Sequence, residues 1–538
     1  MAKAVKWFGF PSENEDTLRD IASAIEEGHW RESARLVKRG SGRSVFRMNL
    51  QGLDFHLKLF HARPGILGRL AQAVRGPAAR REHLRLCDAA SYHLGVPRSL
   101  GFGVVDDGSS YLLTETCCDS LSLQQYLESR SWDDPGQRQK LCRDLGRFLA
   151  KVHVAGLRHD DLHPGNILVQ LQADGTRRFL LLDLGAARWG VPLSRRETIR
   201  NLALLNRWFV LRTHRTDRRR CWGAYVAERA RLQPDWQPTP TMPAQIEAQA
   251  DAGNHRLWKK WAYRCLRSNR RFEHHSVPSG EVFRVSDFPW LEEVSAWCGP
   301  TPPITAKAVL KHSPSSWVAV LDLGTAGGRR AVIVKWMRGR GRWRRILDAV
   351  MPSPDRRAWM NGHRLRDCLV PTPRPLLLYR SSDGRGSILL TDYLDRAIPL
   401  PEALFTTPPT LRRQRIEAVA RLIRTIHQRG WVHRDLKASN LLWNVDSAGQ
   451  EIPWIIDLAG AWRPIRISHA RRYQNLARLN ASFLRSATLT RTDRLRFLRT
   501  YLAQDWAEWR NWKSWWRAIA RATERKRKRN ELRERPLG

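Results

Sequence analysis

Apolar and polar positions alternate most regularly in two stretches of the chain, 166–184 and 440–458. The first reads "NILVQL", then a polar "QADGTR" with an Asp-Gly turn signal, then "RFLLLDL". This text predicts two antiparallel strands joined by a tight turn. The second repeats the device as "NLLWNV", "DSAGQE" and "IPWIIDL". Farther upstream, "LDFHLKLF" and "RRAVIVKWM" read as strands that each carry a lysine, Lys58 and Lys335, among apolar neighbours. The hexamers "NLALLN" (201–206) and "NLARLN" (475–480) have helical apolar spacing and predict core-facing helix. Near the C-terminus, "DWAEWRNWKSWWRAIARATERKRKRN" predicts a helix over 502–530, its tryptophans 506, 509, 512, 515 and 516 spread over roughly half the circumference.

These pairs are one repeat. "GLRHDDLHPGNILV" (156–169) and "GWVHRDLKASNLLW" (430–443) align with Asp161 and Asp435 274 positions apart. Asn166 and Asn440 each follow their aspartate by five residues, Asp183 and Asp457 by 22. The "NL" hexamers begin 18 residues after Asp183 and Asp457, and Lys58 and Lys335 precede the loop aspartates by 103 and 100 residues. A period this long describes a duplication of whole domains, not a solenoid. The division expected is 1–275 and 276–538.

Length and composition agree with two packed domains: 538 residues, 42% hydrophobic and 27% charged. Charge changes the picture, because 93 Lys and Arg against 52 Asp and Glu leave a formal +41. Such a balance favours anionic partners, whether nucleic acid, a phosphorylated glycolipid or an inner-leaflet membrane surface, without choosing among them; at the basic, Trp-rich C-terminus nucleic acid is the least expected. From residue 506 onward the balance is +7, which suits a helix lying on an anionic bilayer with its tryptophans at headgroup depth, or a helix that packs part of the tryptophan arc into the core and leaves a solvated basic face. No run of 18 apolar residues and no secretory h-region occurs, so a cytoplasmic protein is expected, either soluble or peripherally bound at the inner face of the cytoplasmic membrane. The eight cysteines form no CxxC, which argues against a zinc or thioredoxin-type site.

The chemistry resides in the repeated polar residues. In an antiparallel hairpin, the residue opening one strand lies beside the residue closing the other, so Asn166 and Asp183 belong at the same rim. One amide and one carboxylate suit a Mg²⁺ that keeps some waters and also binds phosphate. Asn440 and Asp457 repeat the pair. As isolated residues they would read as turn caps; the repeated spacings of 5 and 22 argue against that. His159 and His433 read as loop braces.

The order glycine loop, strand lysine, helix glutamate, H-R-D-x-x-x-x-N and Asp-Leu-Gly resembles the protein-kinase-like fold, and within it most closely the bacterial lipopolysaccharide kinase (Kdo/WaaP-type) family. The segments "REHLRLCDAASYHLGVPRSL" and "RRAWMNGHRLRDCLVPTPRPL", the D-L-G and D-L-A variants and the Trp/Arg-rich domain ends carry the narrower resemblance. It implies an α+β chain of two tandem bilobal domains, each a small β-rich lobe followed by a larger helical lobe, with ATP between the lobes of each domain. By the same resemblance, Asp161 orients the acceptor hydroxyl and takes its proton, Asn166 and Asp183 hold Mg²⁺, Lys58 holds phosphate with Glu82 as its ion partner, and Gly40 and Gly42 let backbone amides approach the nucleotide. In the second copy it points to Asp435 as catalytic, Asn440 and Asp457 as metal ligands, and Lys335 and Lys437 at the nucleotide.

The copies depart from the pattern differently. The first has Asp160 in place of the loop arginine, and its "DLHPGN" resembles small-molecule and sugar kinases. The second aligns "KHSPSSWV" with "KRGSGRSV", losing both glycines, and puts Ala358 where Glu82 stands. The expectation is that the first domain is the better catalyst, acting on a sugar hydroxyl of lipopolysaccharide inner core (Kdo or heptose) or a related glycolipid. A Ser/Thr protein kinase and a pseudokinase scaffold, the latter for the second domain especially, stand as alternatives.

Overall fold

The computed structural model describes residues 5–28, 30, 34–40, 42–62, 75–129, 134–289, 292–303, 305–325, 328–339, 352–446, 449–484 and 489–533. They form two compact units, Met1–Asn254 and His255–Gly538. The boundary falls ahead of the expected 275/276 division. Residues after Asn254 already belong to the second unit: Asn269 bridges Phe272, and the strand Phe272–Val277 pairs with Gly280–Val285 as the first hairpin of the second sheet.

In the first unit, six strands make an antiparallel sheet in the order Val5–Phe8, Ser99–Val105, Ser110–Glu115, Leu53–Phe60, Arg43–Leu50, Arg35–Arg39. The lysine strand is central, with Lys58 opposite Val45 on one side and Leu112 on the other. One sheet face packs on Leu18, Ile21 and Ile25 of the helix Glu15–Glu27. The helix Ala78–Ser91 contacts neighbouring strands and the Asp-Leu-Gly turn. The helical part comes next: Pro135–Val154, Arg195–Phe209, Arg215–Leu232 and Met242–Trp261, the last running across the boundary. Ser194 and Glu197 form a capping box that starts the second of these helices.

The second unit repeats this plan with a seven-stranded sheet in which Lys335 lies opposite Val318 and Leu389, the counterparts of Val45 and Leu112. Its helical part comprises Pro409–Gln428, His469–Ala481, Arg491–Leu502, Trp506–Arg510 and Trp512–Glu531. The single helix expected over 502–530 is therefore corrected to two helices after a break. The preceding helix ends at Leu502, and Asp505 caps a new one by accepting from Ala507 and Glu508 N–H.

Nor are the C-terminal tryptophans one exposed face. Trp515 is buried against Tyr473, Tyr501 and Arg472, and Glu508 takes a bidentate ion pair from Arg472 plus a third bond from Arg424. Burial acts to raise the Glu508 pKa, but the two arginines outweigh it and hold the carboxyl at about 2. Among the described residues no helix is long and apolar enough to cross a membrane.

Candidate active sites

Each catalytic loop leaves its helix through a left-handed glycine. Gly156 (φ +79°) donates to His153 C=O, and Gly430 (φ +83°) to His427 C=O. That backbone conformation ends the helix and turns the chain into the loop. At Gly156 a Cβ would also lie 2.0 Å from Gly190 C=O, so a side chain is excluded twice.

His159 fixes the loop that carries Asp161. Its Nε2 donates to Leu182 C=O at 2.9 Å and its Nδ1 accepts from Asp161 N–H at 3.2 Å, tying the loop to the residue before Asp183. Asn166 Nδ2 donates to Asp161 C=O at 3.0 Å, and Leu182 N–H donates to Asn166 C=O at 2.9 Å. The hairpin has Leu181 opposite Ile167, so Asn166 and Asp183 reach the same rim, beside Asp161. The Asp161 carboxylate is 64% exposed and so open to a group arriving from solvent. Asp183 adopts a left-handed backbone (φ +64°), as does Asp457 (φ +57°). This costs an aspartate about 1 kcal/mol and aims both carboxylates by a backbone twist.

Lys58 Nζ donates to Glu82 Oε1 at 2.5 Å, with Glu82 fully buried. The Glu82 helix also holds the Asp-Leu-Gly turn, because Arg85 Nη1 donates to Leu184 and Gly185 C=O at 3.1 and 2.6 Å. Gly40 and Gly42 flank the turn of the hairpin Arg35–Leu50, Gly40 N–H donating to Arg43 C=O; Ser41 between them lies outside the described residues. From this hairpin Arg43 extends a two-pronged ion pair to Asp183. Burial acts to raise the Asp183 pKa, but the Arg43 fork, with Lys58 nearby, holds it below the usual carboxylate range.

The second unit keeps the loop and rearranges the charges. His433 Nε2 donates to Asp457 C=O at 3.0 Å, its Nδ1 accepts from Asp435 N–H, and Asn440 Nδ2 donates to Asp435 C=O at 2.8 Å. Asn361, at the position of Arg85, donates to Leu458 and Ala461 C=O. Ala358 is buried, and Lys335 turns to Asp457 at 2.6 Å. Lys437 sits 3.4 Å from Asp435.

A pair of buried networks was missed in the sequence. His153, fully buried, donates from Nε2 to Asn201 Oδ1 at 3.1 Å and accepts at Nδ1 from Tyr225 Oη at 3.0 Å, while Asn201 Nδ2 donates to His159 C=O at 2.7 Å. In the second unit His427 meets Tyr501 Oη at 2.7 Å, and Asn475 Oδ1 accepts from His433 N–H. Burial lowers the pKa of His153 and His427 to about 3. The signal was present, since His153 and His427 stand at the same 274-residue interval as the aspartates.

The donor set in each unit is one carboxylate plus one amide oxygen; among the described residues, no three His, Cys, Asp or Glu side chains form a cage. All-oxygen donors suit a hard cation, and the cationic fork of Arg43 against Asp183 shows that positive charge is accommodated there.

Known proteins are similar to this chain. The family model described as Lipopolysaccharide kinase (Kdo/WaaP) family matches residues 27–227 and 329–501. The chain is 33% identical over 190 residues to the lipopolysaccharide core heptose(I) kinase WaaP of Pseudomonas aeruginosa, covering 32% of this chain and 69% of that protein. It is 30% identical over 190 residues to the lipopolysaccharide core heptose(I) kinase WaaP of Escherichia coli, covering 32% and 71%. The solved structure of WaaP in complex with acyl carrier protein covers 46% of this chain and 98% of its own, at 18% identity and a TM-score of 0.33.

Proposed function

The chain belongs to the lipopolysaccharide kinase (Kdo/WaaP) family and is a kinase of lipopolysaccharide inner-core sugar, and from that premise we propose that its first unit is the principal catalyst. The observation that carries this reading is the Lys58–Glu82 ion pair, which keeps the strand lysine off Asp183, whose partner is the displaceable side chain of Arg43, against the Lys335–Asp457 pair, in which lysine and aspartate neutralise each other.

In the first unit, Lys58, aligned by buried Glu82, binds the α- and β-phosphates of ATP, and Gly40 and Gly42, lacking side chains, leave the backbone open to the nucleotide. Asn166 and Asp183 would hold Mg²⁺, which when bound neutralises phosphate charge. Binding displaces Arg43 from Asp183, and its guanidinium is then placed to meet phosphate oxygens. Asp161 accepts the proton of a sugar hydroxyl as that oxygen bonds to the terminal phosphorus, whose bond to the bridging oxygen breaks and releases ADP. The acceptor is a Kdo or heptose hydroxyl of the inner core. The second unit, with Lys335 and Asp457 neutralising each other, is a weak or non-transferring copy that holds ligand.

The enzyme works at the inner face of the cytoplasmic membrane. Trp506 is 62% exposed, stacked on Trp509, and is followed by exposed Arg510, Lys513, Arg517 and Arg521 along one side of the C-terminal helices. Flotation with anionic vesicles tests this with Trp506→Ser combined with Arg510→Glu and Arg517→Glu. Deletion from 506 is unsuitable because it removes buried Trp515 and Glu508.

ADP release across dephosphorylated core glycolipid, free Kdo, free heptose and a generic protein acceptor, with Asp161→Asn alongside, tests the function. Turnover is expected on core glycolipid and its loss in the variant. Turnover on protein alone contradicts the reading.

A further inference from the structure

The loops that carry the two aspartates differ in charge at corresponding positions. Around Asp161, Asp160 is neutralised by Arg158 at 3.0 Å and Arg188 at 2.8 Å, and Glu197 takes Arg158 at 3.3 Å. His163 and Leu204 are the two further positions whose counterparts are cationic, and burial lowers the His163 pKa; Arg43 and Lys38, from the hairpin Arg35–Leu50, lie outside this set and add positive charge nearby. These six positions sum to zero charge. Their counterparts 274 residues on are Val432, Arg434, Trp462, Arg471, Lys437 and Arg478, which sum to +4.

The geometry gathers these cations around Asp435. Arg434 and Arg471 lie 5.7 and 5.0 Å from the Trp462 ring centre. Arg478 lies on a helix face between two residues that grip the loop: Asn475 accepts from His433 N–H at 2.9 Å, and Ser482 accepts from Ala438 N–H at 3.2 Å. The spacing 475, 478, 482 follows one helical face, so Arg478 looks at residues 434–437. It is half-buried and feels the charges of Asp435, Arg529 and Arg434. Arg529 comes from the last helix, which the bond from Asn480 Nδ2 to Thr523 Oγ1 at 3.1 Å fixes against the Arg478 helix. Among the described residues, no carboxylate lies within ion-pair distance of Arg434, Arg471, Arg478 or Arg529, whereas the cations of the first unit's loop are paired. Asp435, which Lys437 already meets at 3.4 Å, is too little counter-charge for these cations, which repel one another, and guanidinium forks match phosphate oxygens.

We propose that the second unit binds a phosphomonoester beside Asp435, with Arg434 and Arg478 as its ligands and Arg471 and Arg529 adding to the field. Resting on the kinase reading, this makes the second unit the place for an acceptor that already carries phosphate, the class of product that a preceding phosphoryl transfer supplies, while the first unit takes the unphosphorylated sugar.

The test is calorimetric titration of the full chain with core oligosaccharide bearing one phosphomonoester, with the same oligosaccharide after phosphatase treatment, and with inorganic phosphate. Carboxylates are common to both oligosaccharides, so the contrast isolates phosphate. The phosphorylated form is expected to bind about tenfold tighter, and Arg434→Gln or Arg478→Gln to remove that advantage. Inorganic phosphate is expected to compete with the phosphorylated form. Arg529→Gln changes an exposed side chain, leaves the packing intact, and is expected to cut the advantage about threefold. Equal binding of the two oligosaccharides, or an advantage untouched in Arg434→Gln and Arg478→Gln, overturns the proposal. ADP release by the unaltered chain on dephosphorylated glycolipid, run in parallel, tests the kinase reading separately: its failure with the binding contrast intact sinks only that reading.

Discussion

The two units hold their Asp161 and Asp435 loops by closely matching hydrogen bonds, His159 reaching Leu182 C=O and His433 reaching Asp457 C=O, yet give the strand lysine different partners. Lys58 finds Glu82 on a neighbouring helix; Lys335, facing Ala358 there, takes Asp457 instead. A half-buried ammonium needs counter-charge, and when the helix supplies none it draws on the carboxylate that would hold the metal. One helix position thus separates a lysine paired with the helix, its aspartate held by Arg43, from a lysine and an aspartate that neutralise each other. The loop framework tolerates either outcome, because the braces from His159 and His433 use backbone groups and are indifferent to side-chain charge.

The sharpest way to break the comparison is to convert the first unit into the second. Glu82→Ala should send Lys58 to Asp183 and lower kcat/KM about a hundredfold, the scale of a misplaced binding group. Steady-state ADP release measures it, and an unchanged rate would show that the ion pair is dispensable.

The buried networks sharpen the comparison by predicting equality. Asn201→Ala and Asn475→Ala each strand a buried histidine and a backbone group, so each should destabilise its own unit by about 2 kcal/mol in urea unfolding. The neutral histidines add a pH dependence of like size in both units. With folded pKa values of about 3, His153 and His427 bind protons only when unfolded. Their stabilisation is complete above the unfolded pKa of about 6.5 and is lost as pH falls toward 3, about 2 kcal/mol per histidine between pH 7 and pH 5. Urea midpoints at the two pH values check this, and a flat profile in His153→Gln and His427→Gln together is the expected control.

The smallest effect runs in the reverse direction. Ala358→Glu should release Asp457 from Lys335 and raise the affinity of the second unit for magnesium-ATP by about tenfold, read by calorimetry in an Asp183→Asn background. No gain would mean that the missing glycines, and not the missing carboxylate, limit that unit.

Much of this was legible in the sequence because duplication writes each spacing twice. The hairpin carrying Asn166 and Asp183 followed from alternation and an Asp-Gly turn, and the strand lysines from register alone. The Arg43 clamp on Asp183 was not, since a surface arginine beside glycines has no periodicity that reveals its target 140 residues away. The C-terminal helix was misjudged because tryptophan spacing reports an apolar arc without saying what covers it; Tyr473, Tyr501 and Arg472 do. The end of the first unit was placed late because the text from 255 to 275 shows no loop-like break in composition, although it folds with the second sheet.

The central claim, that the first unit performs the transfer, is tested most directly by single-turnover phosphoryl transfer to dephosphorylated core glycolipid in Asp161→Asn and Asp435→Asn. A fall of about a thousandfold is expected in Asp161→Asn, with Asp435→Asn within about twofold of the unaltered chain. Abolition by Asp435→Asn with transfer intact in Asp161→Asn would contradict it.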